Sequence, residues 1–212
     1  ATSFVLDFIK KLNLIDGVDY YLATTPAYVR PTQDGLYLHF KTIANASAKP
    51  IILYNIPGRT GCDLDNETVL KLARDCSNIL GIKDATGNLS RAIDLFKRRS
   101  QSFAVYSGDD GTFLEFVLNG GDGVISVASN LIPDIFRSIM DNAVSGDKLS
   151  ATEINDGLHG LYEALSFESN PVALKWALAF MGIINNDVVR SPLLALTETS
   201  QVKMKQVLMD LR

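Results

Sequence analysis

Five short apolar segments, each ending in polar or turn-forming residues, recur along the chain at similar intervals. They end near Thr25, Tyr54, Lys83, Gly108 and Ala128, about 20 to 30 residues apart, and a helical pattern follows each one. Strands that alternate with helices in this way predict a parallel α/β sheet. A (β/α)8 TIM barrel allots roughly 30 residues to each unit, so the spacing predicts such a barrel with about five units present.

The alternating pattern stops near residue 146, and only helical patterns follow it. We therefore predict a partial (β/α)8 barrel over residues 1–146 and a C-terminal helical region over 147–212. Three units of a closed barrel, roughly 90 residues, are unaccounted for, and such a remnant would expose two edge strands. We expect a truncated product, a fragment or one part of a larger assembly. An open, five-stranded flavodoxin-like sheet is the alternative that needs no further units.

Residues that commonly cap helices predict several helix boundaries. Asp65 is predicted to cap the helix that follows the second strand. Asn130 is predicted to cap a helix that ends at Gly146, because glycine is favoured just after a helix. One helix is expected over residues 149–165, and Asn170 is predicted to cap the next one.

Charge and composition argue against several kinds of partner. A net charge of −4, a pI near 5.2 and the absence of a basic run argue against nucleic acid and against an anionic membrane. Charged residues interrupt every apolar run well short of about 18 residues, so we expect a cytoplasmic protein without a membrane span. Cys62 and Cys76 are predicted to be free thiols in a reducing compartment. His39 and His159 are expected on the surface, and neither a metal nor a cofactor is predicted.

Lys83 is a candidate nucleophile because it ends an apolar run. The segment Asn78-Ile79-Leu80-Gly81-Ile82-Lys83 is followed directly by turn residues, which predicts a buried strand that delivers an amine to its carboxyl end. An apolar setting disfavours the ammonium form, and only the neutral amine attacks a ketone to form a Schiff base. The alternative is that Lys83 marks the solvated end of a strand.

Tyr54 and Arg59 are candidate site residues because of a second apolar run, Pro50 to Pro57. Tyr54 lies in this run and Arg59 lies just after it. Tyr54 and Lys83 occupy equivalent strand ends, and reacting groups of parallel barrels collect at the carboxyl ends of strands. A core tyrosine is the alternative reading of Tyr54. Arg59 lies in a loop between Gly58 and Gly61, where a guanidinium can hold a carboxylate with two hydrogen bonds, although it can also be an ordinary surface arginine.

These two motifs, Tyr-Asn-x-Pro-x-Arg-Thr-Gly from Tyr54 and Gly-Ile-Lys-Asp-Ala-Thr-Gly-Asn from Gly81, resemble the dihydrodipicolinate synthase family of pyruvate-dependent class I aldolases. The resemblance implies a TIM barrel whose strands 4–8 are present here, with the family's N-terminal part lacking. It implies condensation of pyruvate with aspartate semialdehyde in lysine biosynthesis, with Lys83 as the Schiff-base nucleophile and no cofactor. It also implies a homo-oligomer, a dimer of dimers.

The resemblance assigns roles to further residues of this chain. Tyr54 and Tyr28 would form a proton relay, with Tyr28 reaching into the site of an adjoining subunit. Arg59 would bind the carboxylate of the second substrate. Gly108 and Ile125 match backbone positions that line the pyruvate pocket. Ala27 stands where relatives often have an aromatic residue that lines a regulatory lysine site, which puts feedback inhibition by lysine in doubt.

The residues leave two other functions open. A related aldolase that acts on another 2-keto acid would use the same lysine, and Arg59 tells against it. A truncated, non-catalytic relative would keep the residues of the pyruvate site and act only as a subunit. A threonine of the family's proton relay, supplied by an earlier loop, has no counterpart here, because Thr24 and Thr25 lie on a different strand.

Overall fold

A computed structural model, in which residues 1–211 are described, has five parallel strands that alternate with helices. The strands are β1 Tyr21–Thr24, β2 Ile51–Asn55, β3 Ile79–Asp84, β4 Ala104–Ser107 and β5 Gly123–Val124. The helices are α1 Thr2–Leu12, α2 Gln33–Ala46, α3 Pro57–Thr60, α4 Asn66–Asp75, α5 Leu89–Arg98, α6 Phe113–Leu118, α7 Pro133–Ser145, α8 Lys148–Asp156, α9 His159–Leu165, α10 Val172–Phe180 and α11 Glu198–Asp210, with a 3-10 turn at Ala128–Asn130.

The five strands are neighbours in the order in which they occur along the chain. Each pairs in parallel with the next, from β1 to β5. A sequential parallel order with helical crossovers is that of a (β/α)8 barrel, whereas a flavodoxin-like sheet has the order 2-1-3-4-5. The flavodoxin-like alternative is therefore wrong, and the α/β prediction of five barrel units is confirmed.

Several predicted helix caps are present. Asp65 caps α4 by accepting a hydrogen bond from the backbone N–H of Thr68 at 2.7 Å. Gly146 ends α7 in the left-handed conformation, with φ of 88°, which costs glycine little.

Other predicted boundaries are wrong. Asn130 lies in the 3-10 turn, where its side-chain amide donates to the Val127 carbonyl at 3.0 Å, and Ile132 is the cap residue of α7. The helix expected over 149–165 is two helices, because α8 ends at Asp156 with Gly157, a poor helix former, as its cap residue. The next helix has Pro171 rather than Asn170 as its cap residue. The fifth strand ends at Val124, well before Ala128.

The chain divides into two compact units, Ala1–Ile125 and Ser126–Arg212. In the first, strand residues of β2, β3 and β4 share a core with the apolar faces of the helices; it includes Ile51, Leu53, Ile82, Val105, Leu36, Phe40, Val69, Leu72 and Leu95. In the second, α7 packs on α8, and α9 and α10 pack on α11. The predicted boundary after residue 146 falls between α7 and α8, and that division stays a prediction.

His39 is buried, so the prediction that it lies on the surface is wrong. Its Nδ1 is 2.8 Å from the Thr2 hydroxyl, a contact between α2 and α1. His159 is exposed, and Cys62 and Cys76 are buried free thiols. Within residues 1–211 no helix combines the length and apolar character that a bilayer crossing requires.

Candidate active site

Lys83 and Tyr54 meet at the carboxyl edge of the sheet. They are register partners on β3 and β2, and because side chains alternate between the faces of a sheet, partners in register point to the same face. The Lys83 Nζ lies 4.4 Å from the centroid of the Tyr54 ring. The structure thus brings together the two strand-end residues that the sequence singled out.

The surroundings of Lys83 favour its neutral amine. Burial lowers the pKa of Lys83 below its ordinary value of 10.5, and the positive charge of Arg59 lowers it further. The carboxylate of Asp110 opposes both effects, because a negative charge stabilises the ammonium form. The net direction is downward, so a larger fraction of the amine is available as a nucleophile at neutral pH than for a solvated lysine.

The Tyr54 hydroxyl keeps its proton at neutral pH. Burial raises the pKa of Tyr54 above its usual value of 10.0, and the charge of Arg59 offsets part of that rise. Tyr54 is therefore a phenol that can donate a hydrogen bond beside the amine, and Arg59 is the cation that makes proton transfer from it easier.

Gly108 follows β4 and lies against the Lys83 side chain. A Cβ at this position would be 2.8 Å from Lys83 Cε and 2.8 Å from Ala85 Cβ, closer than carbon atoms pack. Its N–H donates to the Asp84 carbonyl at 2.7 Å, which fixes the backbone beside the lysine. The next strand continues this edge, since the Ile125 N–H donates to the Ser107 carbonyl at 2.9 Å. Ile125 is 39% exposed.

The loop that carries Arg59 is closed at its base by Asn55. The buried Asn55 side chain donates to Asp63 at 2.7 Å and accepts from the Leu64 N–H at 3.1 Å. The short helix α3 between these points ends at Gly61 with φ of 67°. Arg59 itself is exposed, so its guanidinium projects from a loop whose two ends are held together.

Tyr28 is attached to that loop through its backbone. Its N–H donates to the Thr60 carbonyl at 2.9 Å, while its ring is 92% exposed to solvent. Its φ of 73° is uncommon for a residue with a side chain, and such strain is found at functional sites. Tyr28 therefore contacts the Arg59 loop through its backbone, while its ring is exposed.

Three charged residues near the site, Asp110, Asp63 and Arg91, are absent from the set that the sequence predicts. Asp110, which follows the fourth strand in a glycine-containing loop, is the acidic group whose charge acts on Lys83. It follows the fourth strand, so the strand-end rule that found Tyr54 and Lys83 could have found it too. Asp63 and Arg91 form an ion pair at 2.8 Å behind the site, and no local pattern signals a pair so far apart in sequence.

Comparison with known proteins identifies, over nearly the whole chain, the family that the two sequence motifs resemble. The model of the dihydrodipicolinate synthetase family matches residues 9–211. A curated 4-hydroxy-tetrahydrodipicolinate synthase of Laribacter hongkongensis is 46% identical over 192 residues, which is 91% of this chain and 65% of that protein. The one from Nitrosomonas eutropha is 50% identical over 181 residues, 85% of this chain and 61% of that protein. The chain thus spans less than two thirds of the length of these relatives.

Solved structures agree with the sequence comparison. The chloride-inhibited dihydrodipicolinate synthase from Acinetobacter baumannii, complexed with pyruvate, is 42% identical with a TM-score of 0.91, covering 99% of this chain and 71% of that one. The dihydrodipicolinate synthase from Thermotoga maritima is 34% identical with a TM-score of 0.94, covering 99% and 72%. On sequence, fold and strand-end residues together, the chain belongs to the dihydrodipicolinate synthetase family.

Proposed function

We propose that the protein condenses pyruvate with aspartate 4-semialdehyde through a Schiff base on Lys83, giving 4-hydroxy-tetrahydrodipicolinate in lysine biosynthesis. The observation that carries the proposal is the half-buried Lys83 amine, 4.4 Å from the Tyr54 ring centroid, with a pKa that burial lowers. The names of the relatives support the choice of substrates.

The chemistry follows from the nucleophile. The neutral Lys83 amine attacks the ketone carbon of pyruvate, and loss of water gives an iminium ion. That cation withdraws electrons, so a methyl proton leaves and an enamine forms. The enamine carbon attacks the aldehyde of the second substrate, whose amino group then displaces Lys83 and closes the ring. Each step moves a proton next to the nitrogen, and the phenol of Tyr54, whose ring centroid lies 4.4 Å from the Lys83 Nζ, is the candidate to carry it.

Arg59 is proposed to select the second substrate. Arg59 is an exposed residue, and its positive charge lowers the pKa of both Lys83 and Tyr54, which supports a place beside the bound substrate. A planar guanidinium binds a carboxylate with two parallel hydrogen bonds, which fixes orientation as well as position. A related aldolase for another 2-keto acid remains the alternative among enzymes, and the position of Arg59 favours the proposed substrate.

Assembly and location are part of the proposal. The exposed ring of Tyr28 supports a homo-oligomer in which a partner subunit covers it, with a dimer of dimers as the proposed state. The buried free thiols of Cys62 and Cys76 support a reducing compartment such as the cytoplasm.

A non-catalytic relative is the competing proposal. It is favoured by one observation: among the described residues, β1 and β5 each pair with a single neighbouring strand, so the sheet has two edges rather than closing on itself. Such a chain would keep the site residues without turning over substrate.

The experiment that separates these proposals is a condensation assay with the purified chain. We expect loss of aspartate semialdehyde with pyruvate present, and appearance of the product by mass spectrometry. Lys83→Ala abolishes turnover, whereas Lys97→Ala, which removes an exposed lysine from α5, leaves it unchanged. Turnover that survives Lys83→Ala overturns the Schiff-base proposal. No turnover by the unaltered chain supports the proposal of a non-catalytic relative.

A further inference from the structure

Behind the two strand ends lies a network of polar side chains centred on Arg91, in which Asp84 and Asn55 are buried and Asp63 is exposed. Its Nη1 donates to both carboxylate oxygens of Asp63, at 2.9 and 2.8 Å, and its Nη2 donates to the Leu64 carbonyl. Its Nε lies 3.4 Å from Asp84 Oδ2, an ion-pair distance rather than a strong hydrogen bond. One guanidinium therefore contacts the segment after β2 and the end of β3 at once.

The network joins the residues that immediately follow the two proposed catalytic residues. Asn55 follows Tyr54 and binds Asp63, while Asp84 follows Lys83 and faces Arg91. Because side chains alternate along a strand, Asn55 and Asp84 point to the face opposite Lys83 and Tyr54. The two strands are also register partners at Asn55 and Asp84. The network thus clamps the strand ends from the side away from the amine.

Two charged side chains of the network are buried or nearly so, and a buried charge is costly in free energy unless it has a partner. The Asp84 side chain is 3% exposed and that of Arg91 is 15% exposed. Burial raises the pKa of Asp84, and the hydrogen bonds from Thr86 and the charge of Arg91 oppose that rise. Without the guanidinium, the carboxylate of Asp84 would be buried with its charge uncompensated, so the strand end would have to shift or admit water.

We infer that Arg91 is a positioning residue, which holds the ends of β2 and β3 and the base of the Arg59 loop in the arrangement that sets the Lys83 amine against Tyr54. The inference rests on the proposed function for the role of Lys83. Arg91 touches no reacting group. It acts through Asp63 and Leu64 at one end of the Arg59 loop, and through Asp84 next to the amine.

A lysine cannot replace this arginine, and that makes Arg91→Lys the informative variant. An ammonium keeps the charge, but it is a point donor and cannot bind Asp63, the Leu64 carbonyl and Asp84 together in one plane. The matched control is Arg98→Lys on the same helix. Arg98 also holds α5 to α4 through an ion pair, to Glu67 at 2.6 Å, but that pair lies away from the strand ends.

Two readouts test the inference. The first is the rate at which pyruvate and borohydride modify Lys83, which we expect Arg91→Lys to lower by about 10- to 100-fold, because misplacement by about 1 Å costs that much. The second is the pH midpoint of Lys83 acetylation by acetic anhydride, followed by peptide mass, which needs no pyruvate. It should move upward by on the order of one pH unit, since water entry and departure of Arg59 both favour the ammonium.

Several charged and titratable groups surround the Lys83 amine and influence the pH midpoint of its acetylation. Tyr54 and Arg59 approach from the β2 side, Tyr106 is the register neighbour on β4, and Asp110 follows β4. Arg91→Lys replaces none of these residues, so a change in the midpoint reports their displacement or the entry of water. A role in folding alone would lower the melting temperature of Arg91→Lys and Arg98→Lys without moving the midpoint for either.

The outcomes test the role of Arg91 and the proposed function separately. Slower trapping and a raised midpoint in Arg91→Lys, with neither in Arg98→Lys, support the inference. A folded Arg91→Lys with the native rate and midpoint overturns it. If Arg91→Lys does not fold, Asp63→Asn, which removes the negative charge and one acceptor oxygen opposite Arg91, should reproduce both changes, and native values for it overturn the inference. An unaltered chain that forms no pyruvate adduct contradicts the proposed function, and the acetylation midpoint then decides the inference alone.

Discussion

Replacing Gly108 by alanine should displace the Lys83 side chain although Lys83 itself is not replaced. The added Cβ would lie 2.8 Å from Lys83 Cε, 3.1 Å from Lys83 Cγ and 2.8 Å from Ala85 Cβ. Carbon atoms in contact prefer about 3.5 to 4.0 Å, so the overlap is roughly 1 Å. Ala85 belongs to the backbone turn after β3, and the lysine side chain is the part that can move. We therefore expect Lys83 to leave its place over the Tyr54 ring.

The size of the effect follows from that displacement. A shift of about 1 Å in a reacting group costs on the order of 100-fold in rate, and overpacking costs about 1 to 3 kcal/mol of stability. We expect Gly108→Ala to fold with a lowered melting temperature and to form the pyruvate adduct about 100-fold more slowly. We expect a larger effect on the rate of adduct formation than on stability, because the added Cβ overlaps with the side chain of the nucleophile.

The assay is the time course of borohydride-trapped pyruvate adduct, read by intact mass. Gly111→Ala is the matched control in the same loop, because a Cβ there meets only Asp109 Oδ2, at an ordinary contact distance of 3.6 Å. It should trap pyruvate at the native rate. If folded Gly108→Ala also traps at the native rate, the placement of Lys83 against Gly108 is not needed for imine formation and the reasoning fails.

Three further predictions concern the groups around the amine. Tyr54→Phe should lower the rate of condensation by about 100-fold or more, since the proton carrier is lost, while pyruvate binding is kept; a steady-state assay that finds an unchanged turnover number contradicts this. Arg59→Gln should raise KM for aspartate semialdehyde far more than KM for pyruvate, and equal increases would remove Arg59 from the second-substrate site. Lys83→Met should increase the free energy of unfolding at pH 7. In the unaltered chain the penalty for burying the ammonium is full below the lowered pKa of Lys83 and disappears as the pH rises toward 10.5, so its stability gains with pH in that window. Urea denaturation of both proteins at pH 7 and pH 9.5 checks this, and a gap that does not narrow at the higher pH refutes it.

The strand ends could be predicted because they depend on local pattern. An apolar run that stops at a polar residue marks where a buried strand reaches the edge of a sheet, and parallel pairing then brings such ends together. That was enough to place Tyr54 beside Lys83. It also placed Gly108 near them, although the close approach of its backbone to the lysine side chain is visible only in three dimensions.

Other features could not be predicted because they depend on partners distant in sequence. Arg91 contacts Asp63 and Leu64, 28 and 27 residues earlier, and no periodicity encodes such a pairing. His39 carries no local signal of burial, because its partner, the Thr2 hydroxyl, lies 37 residues earlier in the chain. Asn130 has the chemistry of a helix cap, but its amide donates to the Val127 carbonyl behind it instead.

The most direct test of the central claim is the intact mass of the purified chain after incubation with pyruvate and borohydride. A Schiff base on Lys83 predicts a gain equal to one reduced pyruvate per chain, located on Lys83 by peptide mass and absent from Lys83→Ala. The gain should persist in Lys97→Ala. Modification of a different lysine, or no modification of the unaltered chain, would contradict the claim that Lys83 is the Schiff-base nucleophile.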